Sequence, residues 1–575
     1  MNLNANGATH SGPDEPASRD LVELSPAEFL DLLATQNILI QAREGRLVVN
    51  APAGVPYDRL RTELSRRKGE MLALLSPAEP TSRPPLRPAS RAGRIPMTPS
   101  QQGIWLIDHF DPGNVTYNIP EGFVFPLALD IAVLQQSVDL LLARHEILRT
   151  SFHEDEGELY QVIALEAHML VGFTDLSSLP EVEAETRCRG LVSEHARQPF
   201  DLRQAPLLRL HLFRVGTNHD LLLLNIHHIL ADLQAVHVFW EELVVCYVAC
   251  TANTIPSLPP LSIHYADYSV WAAEQLRGGM QEEQIQYWKQ KLAGLPPHLE
   301  LPARRPYPAQ RSAWGATVTV EFPATLSNSL IELGRKSGAT PFMTLLAAYA
   351  MLLARFSGQH DFCIGSPITL RTQVETERMI GLFMNMLPFR IQFEPQSTFR
   401  EILQQVRSTA LEVYEQRDVP FQTLVRVLRF NRRSPRTPIF QVMFSLESSS
   451  APSAIGRQIH TQPGTARYDL SLILIQSAEG GISGTLEYRT DIFEEDEIAP
   501  LASQLVSIAA ELTAEPDRPC LPARPAVVAT GPESTSVPEA PVPEPAASGT
   551  SLFGAFARAF SSGRGGSKSK QDRQE

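Results

Sequence analysis

The sequence predicts a mixed α/β (α+β) protein built as two halves of similar content, preceded by a small helix–hairpin–helix module. Three observations predict this. Across residues 96–525, short apolar runs of strand character alternate with stretches of helical periodicity. Residues 76–95 are rich in Pro, Ser and Arg, the mark of a stiff, solvated linker. Ahead of that linker, residues 24–75 carry a helix start, a hairpin and a second helix of their own. With 575 residues the chain also exceeds the roughly 250–300 that one core usually holds.

Composition narrows the function classes. A net charge of −14 and a pI near 5.6 argue against a nucleic-acid partner. The five cysteines form no disulfide framework, and their odd number suits a reducing compartment. Met1 to Asp20 is polar, with no charged-then-apolar signal pattern. No apolar run approaches the roughly 20 residues of a membrane span. A cytoplasmic protein is expected.

The N-terminal module begins at Ser25-Pro26-Ala27-Glu28, a capping box with proline at the first helical position. Phe29, Leu30, Leu32 and Leu33 give that helix its apolar face. Residues 37–43 and 46–50 read as strands joined at Glu44-Gly45, with Ile38, Ile40, Leu47 and Val49 as candidate docking residues. A second helix carries Leu60, Leu64, Met71, Leu72 and Leu75. So small a core suits recognition better than catalysis, and a hairpin edge can accept a strand or a helix from a partner.

In the main body, residues 132–145 read as a helix leading into a strand around Phe152. A strand at 207–215 is followed by the run Leu221–Leu233. A long helix then carries Val236, Phe239, Trp240, Leu243 and Val244. A polar, Gln-rich helix at 275–295 is expected to link the two halves. Beyond it come a strand at 316–322, helices near 325–337 and 340–356, and a strand at 362–364. A helix near 398–415 precedes strands at 441–446, 470–476 and 483–488. Two such halves leave a cleft between them, the usual place for a site.

The chain divides as a disordered N-terminus (1–22), the hairpin module (23–75), a linker (76–94), two lobes (95–272 and 273–525) and a disordered tail (526–575). In that tail Leu552, Phe553, Phe556 and Phe560 stand at helical spacing, and residues 551–560 read either as a short partner-binding motif or as a frayed end.

The stretch Leu221–Leu233 carries the chemistry. An apolar run reads as a buried strand that delivers His227 and His228 at its end, and Asp232 follows. Successive strand residues face opposite sides, so one imidazole can face a cavity while the other packs inside. This can mount a lone general base without a serine or cysteine nucleophile. A histidine pair at a strand end is also common in purely structural roles. A metal site is not expected, because no partner stands at ligand spacing.

Further motifs accompany the histidines. Met97-Thr-Pro-Ser-Gln-Gln-Gly-Ile-Trp105 comes first, then Asp111-Pro-Gly and Tyr117-Asn-Ile-Pro120. Arg144-His-Glu-Ile-Leu-Arg-Thr150 and Phe200-Asp-Leu-x-x-Ala-Pro-Leu-x-Arg209 precede the histidines. Tyr265-Ala-Asp-Tyr-Ser-Val-Trp271, Ile380-Gly-Leu-Phe-Met-Asn385 with Arg390, Arg417-Asp-Val-Pro-Phe-Gln422 and Arg436-Thr-Pro-Ile-Phe-Gln441 follow them. In this order the set resembles the condensation domain of nonribosomal peptide synthetases. The N-terminal module resembles the β-hairpin (TubC-type) docking domains of modular assembly lines.

The resemblance implies a pseudo-dimer of two chloramphenicol-acetyltransferase-like lobes in a V, with a tunnel for phosphopantetheine arms. It implies His228 as the catalytic base and His227 as a structural residue. Asp232 maps to the acid of an internal salt bridge, with Arg371 the favoured partner and Arg149 the other candidate. Leu233, Asn385 and Trp105 map beside the tunnel and its substrates. No bound cofactor is implied; substrates ride on 4'-phosphopantetheine arms of carrier proteins. The reaction implied is transfer of a carrier-bound acyl or peptidyl thioester to an amine, giving an amide, or to a hydroxyl, giving an ester with chain release. The carriers are expected to act in trans, recruited by the docking domain, with residues 552–560 as a second handle.

Two departures stand out. Leu233 occupies the place of the motif's glycine, which would allow a positive φ or close approach of the pantetheine arm. It gives the alternative reading: a catalytically silent, condensation-like recruitment platform. Gly103 stands where an arginine is common. Gly480-Gly481-Ile482-Ser483 mimics a phosphopantetheine-attachment site but reads as a hairpin turn.

Overall fold

The computed structural model describes strands 39–43 and 46–50 and residues 84–520, apart from 217–218, 278–281, 429–435, 449–456, 461–462 and 478–479. The N-terminal stretch 1–22, Ile38, the two helices expected in the N-terminal module and the 551–560 motif lie outside the described residues. Within the module, β1 (Leu39–Arg43) and β2 (Arg46–Asn50) form an antiparallel hairpin. Ile40 stands opposite Val49, and Leu47 opposite Ala42.

The main body carries fourteen further strands among the described residues. Its first half holds β3 (Ile95–Pro96), β4 (Asn118–Phe125), β5 (Thr150–Asp155), β6 (Glu158–Ile163), β7 (Gly172–Asp175), β8 (Leu208–Gly216) and β9 (His219–His227). The later chain adds β10 (Gly315–Phe322), β11 (Asp361–Thr369), β12 (Met384–Gln392), β13 (Val442–Ser448), β14 (Arg457–His460), β15 (Leu470–Gln476) and β16 (Ile482–Arg489). One sheet has the order β14-β4-β9-β8-β7, a second β10-β16-β15-β13-β11-β12, and a small third β3-β6-β5.

Each large sheet is covered by helices whose periodic apolar faces build a core. In the first, Leu134, Val138 and Leu141 of helix Ile131–Arg144 meet Phe239 and Trp240 of helix Leu233–Thr251 over Leu222 and Leu224 of β9. In the second, helix Pro341–Ser357 is buried along most of its length among Phe389, Phe444, Leu472 and Leu486. Thr340 starts that helix: its hydroxyl accepts from the Met343 N–H, and Pro341 follows at the first helical position.

The sequence expectation of one linking helix at 275–295 needs correction. Helix Tyr265–Arg277 belongs to the first core through Tyr265 and Tyr268, whereas helix Glu282–Lys291 buries Trp288 in the second. The halves are tied elsewhere. Met379, Ile380, Leu382 and Phe383, between β11 and β12, insert into the first core. Strand β14 leaves the second half to pair antiparallel with β4, completing the first sheet. Gly122 lets it approach, since a Cβ there would lie 2.8 Å from Ile459 Cγ1.

Helix Leu233–Thr251 passes the length and composition of a membrane span, against the expectation that no run comes close. Half of its most apolar window is buried inside the protein, including Val236, Phe239, Trp240 and Leu243. Its apolar length matches the core it packs in.

Candidate active site

Strand β9 ends at His227, and the turn that follows holds His228. Both are buried, at 2% and 7% exposure. Backbone bonds fix the turn from two sides: His227 N–H donates to Leu207 O (2.9 Å) and His228 N–H to Tyr117 O (2.8 Å). The side chains then diverge in hydrogen bonding. His228 Nδ1 lies 2.7 Å from the Ala231 carbonyl, which only accepts, so Nδ1 carries the proton and Nε2 keeps its lone pair. His227 Nδ1 instead accepts from the Ile229 N–H (3.3 Å), so its proton sits on Nε2. The His227 ring packs edge-on to Phe200 at 5.9 Å. One imidazole is thus locked into the fold, while the other keeps a basic nitrogen with no side-chain partner among the described residues.

Both rings are held neutral. Burial pushes each imidazole down to about 3, and the Arg467 guanidinium adds to the effect on both. For His227 the neighbouring His228 lowers it further.

Asp232 caps the helix that follows, accepting from the Ala235 N–H (2.8 Å). The same carboxylate takes both edges of Arg371: Nη2 to Oδ1 at 2.8 Å and Nε to Oδ2 at 3.3 Å. Phe383 N–H adds a bond to Oδ2 (3.0 Å). Arg371 also donates to the carbonyls of Thr376, Met379 (2.8 Å) and Gly381 (3.3 Å), and it stacks over the Phe383 ring at 4.2 Å. A buried guanidinium with this many acceptors pins the 371–383 loop to the histidine turn.

The other expected site residues lie elsewhere. Arg149 donates to Ala164 O, at the far end of β6, and no bond joins it to Asp232; the turn Glu146–Arg149 feeds β5 and holds the side chain on its own hairpin. Trp105 is a core residue, stacked on His109 at 4.8 Å, and no tunnel contact is seen for it. Asn385 uses its amide to clamp a loop: Nδ2 donates to Arg417 O (2.9 Å) and Val419 O (2.8 Å), and Oδ1 accepts from Phe421 N–H (3.1 Å). Each of these polar atoms faces protein backbone, so the expected substrate contact becomes a positioning one.

Leu233 opens the helix with an ordinary backbone and is absent from the positive-φ residues among those described. The conformational reason for a glycine therefore does not arise. Its side chain, with Gln234, His237, Glu377 and Arg378, lines a surface pocket of about 470 Å³. The 374–378 turn is tied over it by Gln234 Nε2 to Glu377 O (2.9 Å) and by the Arg378–Glu241 ion pair (3.1 Å). At Gly103 the Gln422 amide covers the space, so a Cβ there would meet Gln422 Nε2 at 2.3 Å. Gly480 and Gly481 form the turn between β15 and β16, as the hairpin reading had it. No cluster of three or more metal-ligating side chains occurs among the described residues.

Sequence reasoning missed two contributors. Ala231 O, which sets the His228 tautomer, is invisible as a residue type. Arg467, which reaches the turn from just before β15, had no spacing signal.

Two mixed α/β halves, tied at a buried histidine turn by a bidentate ion pair, define a class of fold in which comparison with known proteins agrees. Residues 91–522 match the Condensation domain family model, and residues 27–76 match that of the TubC N-terminal docking domain. The chain belongs to the condensation domain family. A linear gramicidin synthase of Brevibacillus parabrevis is 38% identical over 442 residues, covering 76% of this chain and 6% of that one. Phosphinothricin tripeptide synthetase PhsC of Streptomyces viridochromogenes is 35% identical over 431 residues, 74% of this chain and 40% of that one. The chain thus spans less than half the length of these relatives. The X-domain from teicoplanin biosynthesis superposes with a TM-score of 0.69 at 28% identity, over 76% of this chain and 99% of that one. The condensation domain of the Monacolin K polyketide synthase MokA gives 0.65 at 22% identity, over 75% and 100%, a likeness of fold.

Proposed function

We propose that this chain is a condensation enzyme of a nonribosomal peptide or hybrid polyketide–peptide assembly line, transferring a carrier-bound acyl or peptidyl thioester to an amine. The observation that carries the reading is the His228 tautomer: Nδ1–H on Ala231 O leaves Nε2 with the basic lone pair at the turn. The amine attacks the thioester carbonyl, and its excess proton passes to Nε2. The C–N bond forms, the C–S bond breaks, and the proton leaves with the pantetheine thiolate as a thiol. An imidazole pushed down to about 3 holds a proton only in passing. That favours a nucleophile that needs little deprotonation. An α-amine, with an ordinary pKa near 8, is already partly neutral, so placement supplies much of the rate. A hydroxyl, giving an ester and chain release, is the more demanding acceptor of the same reaction.

Asp232, Arg371 and Asn385 are positioning residues in this reading, and Leu233 shapes a neighbouring pocket. The match of residues 27–76 to a docking-domain family supports recruitment of carrier proteins in trans, where a weak contact raises effective concentration. Removal of residues 1–75 is expected to raise the apparent KM for the donor carrier and leave kcat unchanged.

The test is intact-protein mass spectrometry of an acyl-loaded carrier protein mixed with the enzyme and either an amine or an alcohol. Acyl loss from the carrier with wild type, together with the matching amide, and its absence with His228→Ala would support the assignment. Equal turnover by His228→Ala would remove the imidazole from the chemistry. No turnover with any acceptor, despite carrier binding, would favour a recruitment platform.

A further inference from the structure

We propose that Arg467 is a positioning residue that reaches across the junction of the two halves and holds the His228 turn in place through Tyr117. The inference rests on His228 as the reacting base.

Its backbone belongs to the second half. Ala466 N–H donates to Ala313 O (2.9 Å), Gly315 N–H to Gly464 O (3.0 Å), and Arg311 Nη2 to the Arg467 carbonyl (2.7 Å). Its side chain belongs to the first. Nε donates to Thr116 O (3.2 Å), and the guanidinium lies over the Tyr117 ring at 4.7 Å. Tyr117 in turn is the residue whose carbonyl takes the His228 N–H, and its ring stands 6.3 Å from the His228 imidazole and 6.4 Å from that of His227. Thr116 and Tyr117 immediately precede β4, whose first residue, Asn118, pairs with His227. One cation therefore grips two consecutive residues of the segment against which the base is mounted.

The grip is reciprocated close by. Arg197 of the first half donates from Nε to Pro463 O (2.8 Å). Gly464 has a φ of +72°, and a Cβ there would lie 2.8 Å from Arg197 Nη2. Residues 463–467 thus form a two-way latch, receiving one arginine from the first half and sending one back. A planar guanidinium can donate a hydrogen bond in its plane while its face lies on an aromatic ring; an ammonium offers no such face.

Hydrogen–deuterium exchange of the full chain reads this without a substrate. In Arg467→Met, peptides covering residues 226–231 should exchange about tenfold faster while peptides of the second core stay unchanged. Unchanged exchange at 226–231 overturns the proposal. The second arm is a kinetic cycle with an acyl-loaded carrier protein and a primary-amine acceptor. Arg467→Met should lower kcat by about 10–100-fold with the donor KM within about threefold, because the effect is one of placement. In a His228→Ala background the same substitution should add little. Losses that multiply in the double variant would show action independent of the imidazole and overturn the proposal alone. Full turnover by His228→Ala would remove the base assignment, and this proposal with it. If Arg467→Met does not fold, Arg467→Lys is read in both arms; it keeps the charge and should show a smaller loss of the same kind.

Discussion

Arg371 and Asp232 meet as a fork on a carboxylate, Nη2 to Oδ1 at 2.8 Å and Nε to Oδ2 at 3.3 Å, across 139 residues of chain. The acid caps the helix after the histidine turn, and the arginine sits on the loop between β11 and β12. The pair therefore joins the base's mount to the part of the second half that enters the first core.

Breaking it should be expensive. Arg371→Met is expected to lower stability by about 3–5 kcal/mol, since it leaves a buried carboxylate unpaired. Arg371→Lys should recover little, because an ammonium cannot serve both edges of Asp232 and the carbonyls of Met379 and Gly381. The Asp232→Asn/Arg371→Met double variant should lose less than the sum of the singles. Urea titration of the four proteins checks this.

Asn385→Ala should cost about 2–3 kcal/mol, because it orphans the Arg417 and Val419 carbonyls and the Phe421 N–H. Asn385→Asp should also be destabilising, as a carboxylate accepts but cannot donate to the two carbonyls. The same titration, with kcat measured in parallel, tests whether losing the clamp also slows turnover.

The neutral histidines make stability depend on pH. His227 has its folded pKa pushed down to about 3 from an ordinary 6.5, so below pH 6.5 the unfolded chain binds a proton that the folded chain does not. Stability therefore falls as pH falls through that window, by about 1.4 kcal/mol per unit for each such group. Buried Glu447, pushed up to about 7, works in the opposite direction between its ordinary value and 7. The clean readout is a difference. Between pH 7.5 and 5, His227→Gln should lose about 2 kcal/mol less than wild type, measured by denaturation at both pH values.

Leu233→Gly tests whether the leucine silences the site. The leucine has an ordinary backbone at the helix start, so glycine relieves no strain there and should lower stability by at most about 1 kcal/mol. Wild type should turn over, and the variant should change the acceptor KM more than kcat. An inert wild type made active by Leu233→Gly would establish the silent reading instead. Steady-state kinetics with a series of amines decides between them.

How much of this was legible in the sequence depends on whether a residue's role is local. His227, His228 and Asp232 lie within six positions, so a strand end and a helix cap suffice to place them. Arg371 was reached only through the ordered motifs. Trp105, Arg149 and Asn385 were read as site residues because they stand in motifs, yet each side chain's destination is set by tertiary path: the first core, the Ala164 end of β6, and the 417–421 loop. The helices and strands with clear periodicity were placed to within a few residues. Strand β14 and helix Glu181–Ala196 were not anticipated, the first because four residues carry no period and the second because its apolar positions are sparse.

The pairing of β14 with β4 has a consequence for how such proteins can be recombined. Glu121 on β4 receives the Gln458 amide from β14, 337 residues later. The first sheet therefore borrows its outer strand, just as Asp232 borrows its arginine, from sequence far downstream. A chimaera spliced between the halves would inherit a strand edge and an acid fitted to another parent's residues. The natural unit of exchange is the pair of halves together, and grafts that respect it should keep both the borrowed strand and the borrowed charge.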